Sequence, residues 1–352
     1  MDDQIRLSML TSYHGSEAEL DPALLAQILP APVAPPSAPP PSAPPAYAAA
    51  DERTVIVRRD DGAIAVQTID FFPPLLDDPS IYGEIAAAQA MGGIYALGGE
   101  VTFGLSIAAW PEGLAPDLLQ AIFAGGAAKM AEGGATIVGG QTIVAPSPHY
   151  GLCVTGSIEP DRYLTSAGAQ PGDRLYLTKA LGTGVVLATA RHNAVTTEHL
   201  AETIASMRRL ERVAATIARR AGATACIGIA GRGLLGHAAQ LAARSGCGIA
   251  LAVEAVPFLS GALEYAELGF IPAITVRNRA AFAAQPGNSA DDTPVARQSV
   301  SALLHDPQTS GGLLLSVPSA HADAFQAAFA RARATLWPIG AVIAGTGVRL
   351  LP

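Results

Sequence analysis

Residues Gln67–Gly99 read QTIDFFPPLLDDPSIYGEIAAAQAMGGIYALGG, and their pattern decides the fold. An apolar run, Ala63-Ile64-Ala65-Val66, predicts a strand that delivers one carboxylate, Asp70, at its C-terminal end. A Pro-Pro turn and the acidic pair Asp77-Asp78 then lead into an Ala-rich helix expected over residues 81–97. Gly98-Gly99 suit its C-terminus, because glycine takes positive φ without penalty. No charged side chain lies between Glu84 and Glu100, and Gly92-Gly93 sit inside the helix, where each glycine costs roughly 1 kcal/mol against alanine. A strand that ends in a carboxylate and feeds a tightly packed helix is one way to hold a metal-bound phosphate.

Outward from this stretch, Thr54–Val57, an Asp60-Asp61-Gly62 turn and Ala63–Thr68 predict a β-hairpin. Residues 1–29 form an N-terminal segment with a loop, TSYHGSEAE, and a helix expected over Asp21–Leu29, where Asp21-Pro22 supplies an N-cap acceptor and a first-turn proline. Residues 30–50 are a Pro/Ala/Ser tract that reads as an extended spacer. Residues 51–170 alternate strands and helices as an α+β unit, and residues 171–352 form an α/β unit entered through Pro171-Gly172-Asp173. Within the latter, Leu200, Ile204, Met207, Leu210 and Val213 predict one long helix over residues 197–221.

The chain has 352 residues, half of them hydrophobic, a net charge of −8 and no basic stripe, which excludes a nucleic-acid binder. Its three cysteines are far apart and lack the spacing of a zinc site; reduced thiols in the cytoplasm are expected. The N-terminus lacks the pattern of a signal peptide. Apolar runs are interrupted before about 18 residues, so no membrane span is expected.

TIDFFPPLLDDPSIYGEIAAAQAMGGIYALGG resembles the core signature of the selenophosphate synthetases (selenide, water dikinases), within the aminoimidazole ribonucleotide synthetase-like superfamily. The resemblance continues through WPEGL (residues 110–114), IVGGQTIVAPSPHYGLCVTG (137–156), LYLTKALGTGV (175–185), GRGLLGH (231–237) and HDPQTSGGLLLSV (305–317). It implies a two-domain fold: an N-terminal ferredoxin-like dimerisation domain, whose copies in two chains pair into a shared β-barrel, and a C-terminal α/β domain. It also implies ATP and Mg2+ as cofactors, and a homodimer or a heterodimer with a related chain. The nucleotide site would lie near Asp70, Gln89 and the loop Gly139-Gly140-Gln141-Thr142, with Asp70 as metal ligand.

The same comparison marks departures. Ser16 and Glu19 stand where the family has a nucleophilic cysteine and a lysine. Serine lacks a low-pKa nucleophile, and glutamate reverses a charge that should meet phosphate. Arg53 falls at about the place of a metal carboxylate, with Asp51 and Glu52 adjacent; Gln89 stands for an Asn, and Gly93 and Gly228 for Asp. Arg232 replaces an aromatic residue, and the loop's histidine and acid are Gln141 and Val144. Asp77-Asp78 read as a helix-entry cap or surface feature before a metal site, His14 as surface, and His237 as satisfied locally. The Gly139–Thr142 backbone either cradles phosphate or makes a structural turn. These replacements point to a non-catalytic nucleotide- or partner-binding homologue. The alternatives are an active selenide, water dikinase with relocated ligands, or a related ATP-dependent enzyme with altered substrate.

Overall fold

The computed structural model describes residues 5–18, 47–49, 53–58, 62–160, 162–288 and 297–352. The expected Asp21–Leu29 helix, Glu19, the body of the Pro-rich tract, Asp51, Glu52 and Asp60-Asp61 lie outside them.

The first unit holds β1 (Tyr47–Ala49), β2 (Thr54–Arg58), β3 (Ile64–Phe72), α1 (Pro79–Ala96), β4 (Glu100–Trp110), α2 (Pro116–Glu132), β5 (Thr136–Val144) and β6 (His149–Ile158). Its six-stranded sheet has the order β1-β2-β3-β6-β4-β5, antiparallel except for the β4–β5 pair. Along β3 the burial alternates strictly: Ile64, Val66, Thr68, Asp70 and Phe72 face inward, while Gln67, Ile69 and Phe71 are exposed. That period of two aims Asp70 at the helical layer. The strand runs two residues past Asp70, so the carboxylate sits inside it instead of at its end.

Helix α1 explains its own lack of charge. Tyr82, Ile85, Met91, Ile94 and Tyr95 are fully buried, and one apolar cluster joins them to Tyr150 and Leu152 of the sheet and to Met207, Ala214 and Ala218 of the second unit. A helix packed against the sheet, α2 and the second unit leaves little surface on which a charge could be solvated. Its entry is capped by Asp78, which accepts from Ile81 N–H at 2.9 Å, with Pro79 in the first turn.

The second unit contains β7 (Arg174–Leu177), α3 (Thr183–Arg191), α4 (Thr197–Arg208), α5 (Arg212–Arg220), β8 (Ala225–Gly228), α6 (Gly233–Ser245) and β9 (Gly248–Ala252). There follow α7 (Ala262–Glu267), α8 (Ala273–Ala283), α9 (Gln298–Leu304), β10 (Leu313–Val317), α10 (Ala322–Arg331), β11 (Trp337–Ile343) and β12 (Gly347–Leu351). The sheet order is β12-β9-β11-β7-β10-β8. Strand β10 is buried at every position, because Leu313, Leu315 and Val317 pack in the cluster of α1 and α5 while Leu314 packs in that of α6. Helices on both faces account for an unbroken apolar strand.

Two expectations need correction. The single helix over residues 197–221 is two helices, broken at Arg209-Leu210-Glu211. Arg209 is extended there, and the break turns its carbonyl and the Glu211 side chain toward buried Lys179. The apolar spacing continues across the break, where Leu210 still packs against the core. The second correction concerns Gly139–Thr142, which form no loop. They lie on edge strand β5, almost wholly exposed and paired with β4 from Leu105 to Ala108. A Cβ on Gly140 would meet Ser106 O at 2.1 Å, so close strand approach accounts for the glycine.

Candidate functional site

A cleft of about 740 Å³, counted to its open mouth, lies between β3 and α1 of the first unit and β8, α6 and the 310–313 segment of the second. Asp70 and Gln89 both line it; Gly139–Thr142 do not. Asp70 is 8% exposed and receives the Arg53 guanidinium at 2.7 Å, so the one carboxylate retained from the expected metal set already has a cation on it.

Gln89 works as a tie. Its Nε2 donates to Asp70 Oδ1 at 3.3 Å and to Ser16 Oγ at 3.1 Å, while Ser310 N–H donates to its Oε1. One side chain thus joins β3, the N-terminal segment and the 305–312 loop. Ser16 is 2% exposed, and its N–H also donates to Thr309 Oγ1 at 3.1 Å. The hydroxyl in the position expected for a nucleophile is therefore pinned inside the protein.

The acidic pair divides its work. Asp78 caps α1, and Asp77 holds the N-terminal segment by accepting from Arg6 Nε at 2.8 Å and Ser8 N–H at 3.0 Å. Burial raises the Asp77 pKa, but the Ser8 and Arg6 hydrogen bonds outweigh it and hold the carboxyl below its usual value. His14 is not on the surface, as its loop position suggests; it is 4% exposed and bonds the Ser8 carbonyl.

Two members of the cleft were not singled out from sequence. Lys179, 2% exposed, donates to the carbonyls of Arg209 and Ser310, each at 2.7 Å, with Glu211 at 3.8 Å. Burial pushes the Lys179 amine down to about 8, against the pull of Glu211. Glu211 in turn accepts from Thr178 Oγ1 at 2.6 Å and pairs with Arg209 at 3.4 Å. A signal existed: Lys129 and Lys179 are the only lysines in the chain.

His237 also departs from expectation. It lies in the first turns of α6, 7% exposed, and neither ring nitrogen makes a hydrogen bond of normal geometry, although Gln240 is nearby. Burial, then the positive charges of Arg232 and Arg53, push its pKa down to about 3, so the ring is neutral. The 305–312 loop has a structural task at its other end. Gln308 Oε1 accepts from Gly182 and Thr183 N–H, and Asp306 Oδ2 from Gly184 N–H, which together cap α3. Burial pushes the Asp306 carboxyl up to about 8.

The magnesium implied by the resemblance does not fit these residues. Asp70 is engaged by Arg53, and Gly93 and Gly228 offer no ligand. Among the described residues no three His, Cys, Asp or Glu side chains gather as a metal site. A Cβ on Gly93 would stand 2.7 and 2.8 Å from the Thr68 and Thr54 hydroxyls, which fill that space. At Gly228 the nearest atom to such a Cβ is Ala96 Cβ at 3.9 Å, so a side chain could be built there.

Comparisons with known proteins agree with this architecture. The family models for the N-terminal and C-terminal domains of AIR synthase related proteins match residues 50–158 and 170–351. A selenide, water dikinase of Clostridium botulinum (strain Alaska E43 / Type E3) is 34% identical over 329 residues, covering 92% of each chain. That of Pelobacter propionicus is 38% identical over 328 residues, covering 93% of this chain and 92% of its own. Among solved structures, AaThiL complexed with AMPPCP and TMP superposes with a TM-score of 0.66 at 20% identity, over 84% of this chain and 86% of that one. Hydrogenase maturation protein HypE in complex with ATP gives 0.60 at 19%, over 79% and 76%. At such identities the structural likeness speaks for the fold alone. No helix among the described residues is long and apolar enough to cross a membrane.

Proposed function

Because the chain belongs to the selenide, water dikinase family of AIR synthase related proteins, we propose that it keeps the family's ligand cleft without its dikinase turnover. It would act as a nucleotide- or partner-binding homologue. The observation that carries this reading is the Arg53–Asp70 pair, a fixed cation on the remaining metal carboxylate. The pinned Ser16 hydroxyl supports it, since a buried, hydrogen-bonded serine is no substitute for a mobile thiolate. A second reading, an active enzyme with relocated ligands, draws on identity of 34–38% spread over more than nine-tenths of the chain.

The reading extends to assembly and place. Ile69, Phe71, Leu105, Val138, Ile143 and Val144 are exposed large apolar residues on β3, β4 and β5, the last an edge strand. Together they support a dimer through the first unit, with a second copy or a related chain on this face. The proposed domain limits are 51–170 and 171–352, and the proposed location is the cytoplasm.

Restoring carboxylates tests the reading. Gly228→Asp, for which there is room, should change stability by less than about 1 kcal/mol, whereas Gly93→Asp should cost about 1–3 kcal/mol because two threonines must move. Combined with Arg53→Ala, Gly228→Asp should confer Mn2+ binding, read by calorimetry, that the parent chain lacks. Tight Mn2+-nucleotide binding by the parent, unchanged by the substitutions, would support relocated ligands instead.

A further inference from the structure

The cleft, in which the described residues gather no metal set, is not short of positive charge. Among the described residues, Arg53, Arg209 and Lys179 line it together with Asp70 and Glu211, an excess of one cation, and both carboxylates are paired with those cations. A divalent ion entering here would meet a guanidinium fixed at 2.7 Å from Asp70, the only first-unit carboxylate among the described residues of the cleft. A phosphate would meet a guanidinium already oriented by Asp70, in a cleft whose described charges sum to one excess cation. The second observation is His237: its ring is buried, lines the same cleft beside Gln240, and neither nitrogen makes a hydrogen bond of normal geometry. A buried polar ring without partners costs free energy unless a ligand supplies one. Arg53 and His237 line the same cleft.

We propose that this cleft binds the phosphate group of its ligand without a divalent metal, the Arg53 guanidinium standing in for the ion and the His237 ring hydrogen-bonding the ligand. The inference rests on the reading above and deepens it. Gly92 at the cleft wall has nothing within 4 Å of where a Cβ would stand, which leaves room for the group over α1. Thr54 and Thr68 hydroxyls line the same wall.

The test is calorimetric titration of the full chain with inorganic phosphate, ADP and β,γ-methylene ATP, each in excess EDTA and again in excess Mg2+. At least one probe should bind, with affinities in the two media agreeing within about twofold. Which probe binds tells free phosphate from nucleotide phosphate as the source. The paired substitution Arg53→Gln with Asp70→Asn removes both charges together and should weaken binding at least tenfold. His237→Leu should weaken binding comparably while leaving the melting temperature unchanged or raised, because the buried ring has no well-formed hydrogen bond to lose. That thermal result keeps the test decisive if the double variant folds poorly; a lowered melting temperature with unaltered binding would make His237 structural and overturn its part. Binding that requires Mg2+, binding indifferent to the substitutions, or no binding of any probe would each overturn the proposal. ATP turnover by the parent chain would instead overturn the reading beneath it.

Discussion

Lys179→Met should destabilise the protein by about 3–5 kcal/mol, the range for breaking a buried charge pair from one side. The amine satisfies two carbonyls, on Arg209 and Ser310, and faces Glu211, which is itself 5% exposed. Removing it leaves a buried carboxylate held by Thr178 and the partly exposed Arg209 alone. Adding Glu211→Gln should therefore recover a large part of the loss, since the uncompensated charge goes with it. The pH dependence has a definite sign. In the folded chain the Lys179 amine titrates at about 8, below its ordinary 10.5, so between these values the unfolded state binds more protons. Wild type should then gain stability relative to Lys179→Met as pH rises through that window. Paired urea titrations of the two proteins at several pH values measure the difference; a gap that narrows with rising pH would reverse the assignment.

Gly83→Ala or Gly125→Ala should cost about 3 kcal/mol or more, the upper end for overpacking, because the obstruction is backbone. A Cβ on Gly83 would lie 2.0 Å from Ile122 O, and one on Gly125 would lie 2.0 Å from Ser80 O. The two glycines sit on opposite sides of one crossing between α1 and α2, so neither helix can yield without moving the other. The double variant should cost less than the sum, since the first wedge opens space for the second. Gly92→Ala, on the same helix but with open space at its Cβ, should instead stabilise by about 0.5–1 kcal/mol. Thermal melts of the three variants decide this; equal losses at all three positions would mean that helix propensity, and not the crossing, dominates.

Much of the fold was legible because local pattern and tertiary burial agree. Helix α1 ends within two residues of its expected limits, and the alternation in β3 and the unbroken apolar run of β10 follow from one and two covered faces. Where they disagree, the sequence misleads. The break at Arg209–Glu211 is invisible to helical periodicity, because its cause is a lysine 30 positions earlier that needs a carbonyl. Gly139-Gly140 read as a loop because glycines favour turns, yet here they permit close pairing with Ser106. His14 read as surface because its loop is polar, but Asp77 draws that loop inward through Ser8 and Arg6. Asp70 and Gln89 stand out in the sequence by motif position, and both line the cleft. The link from Gln89 to Ser16 and Ser310 spans 73 and 221 positions and has no local trace.

The cleft is proposed to keep its ligand but not the family's reaction. Phosphorus NMR of the purified chain with ATP, selenide and Mg2+ tests it most directly, with an active selenide, water dikinase run in parallel. The ATP resonances of this chain's sample should persist unchanged while the parallel sample consumes its ATP. Consumption of ATP with the appearance of a selenium-coupled phosphorus signal would contradict it.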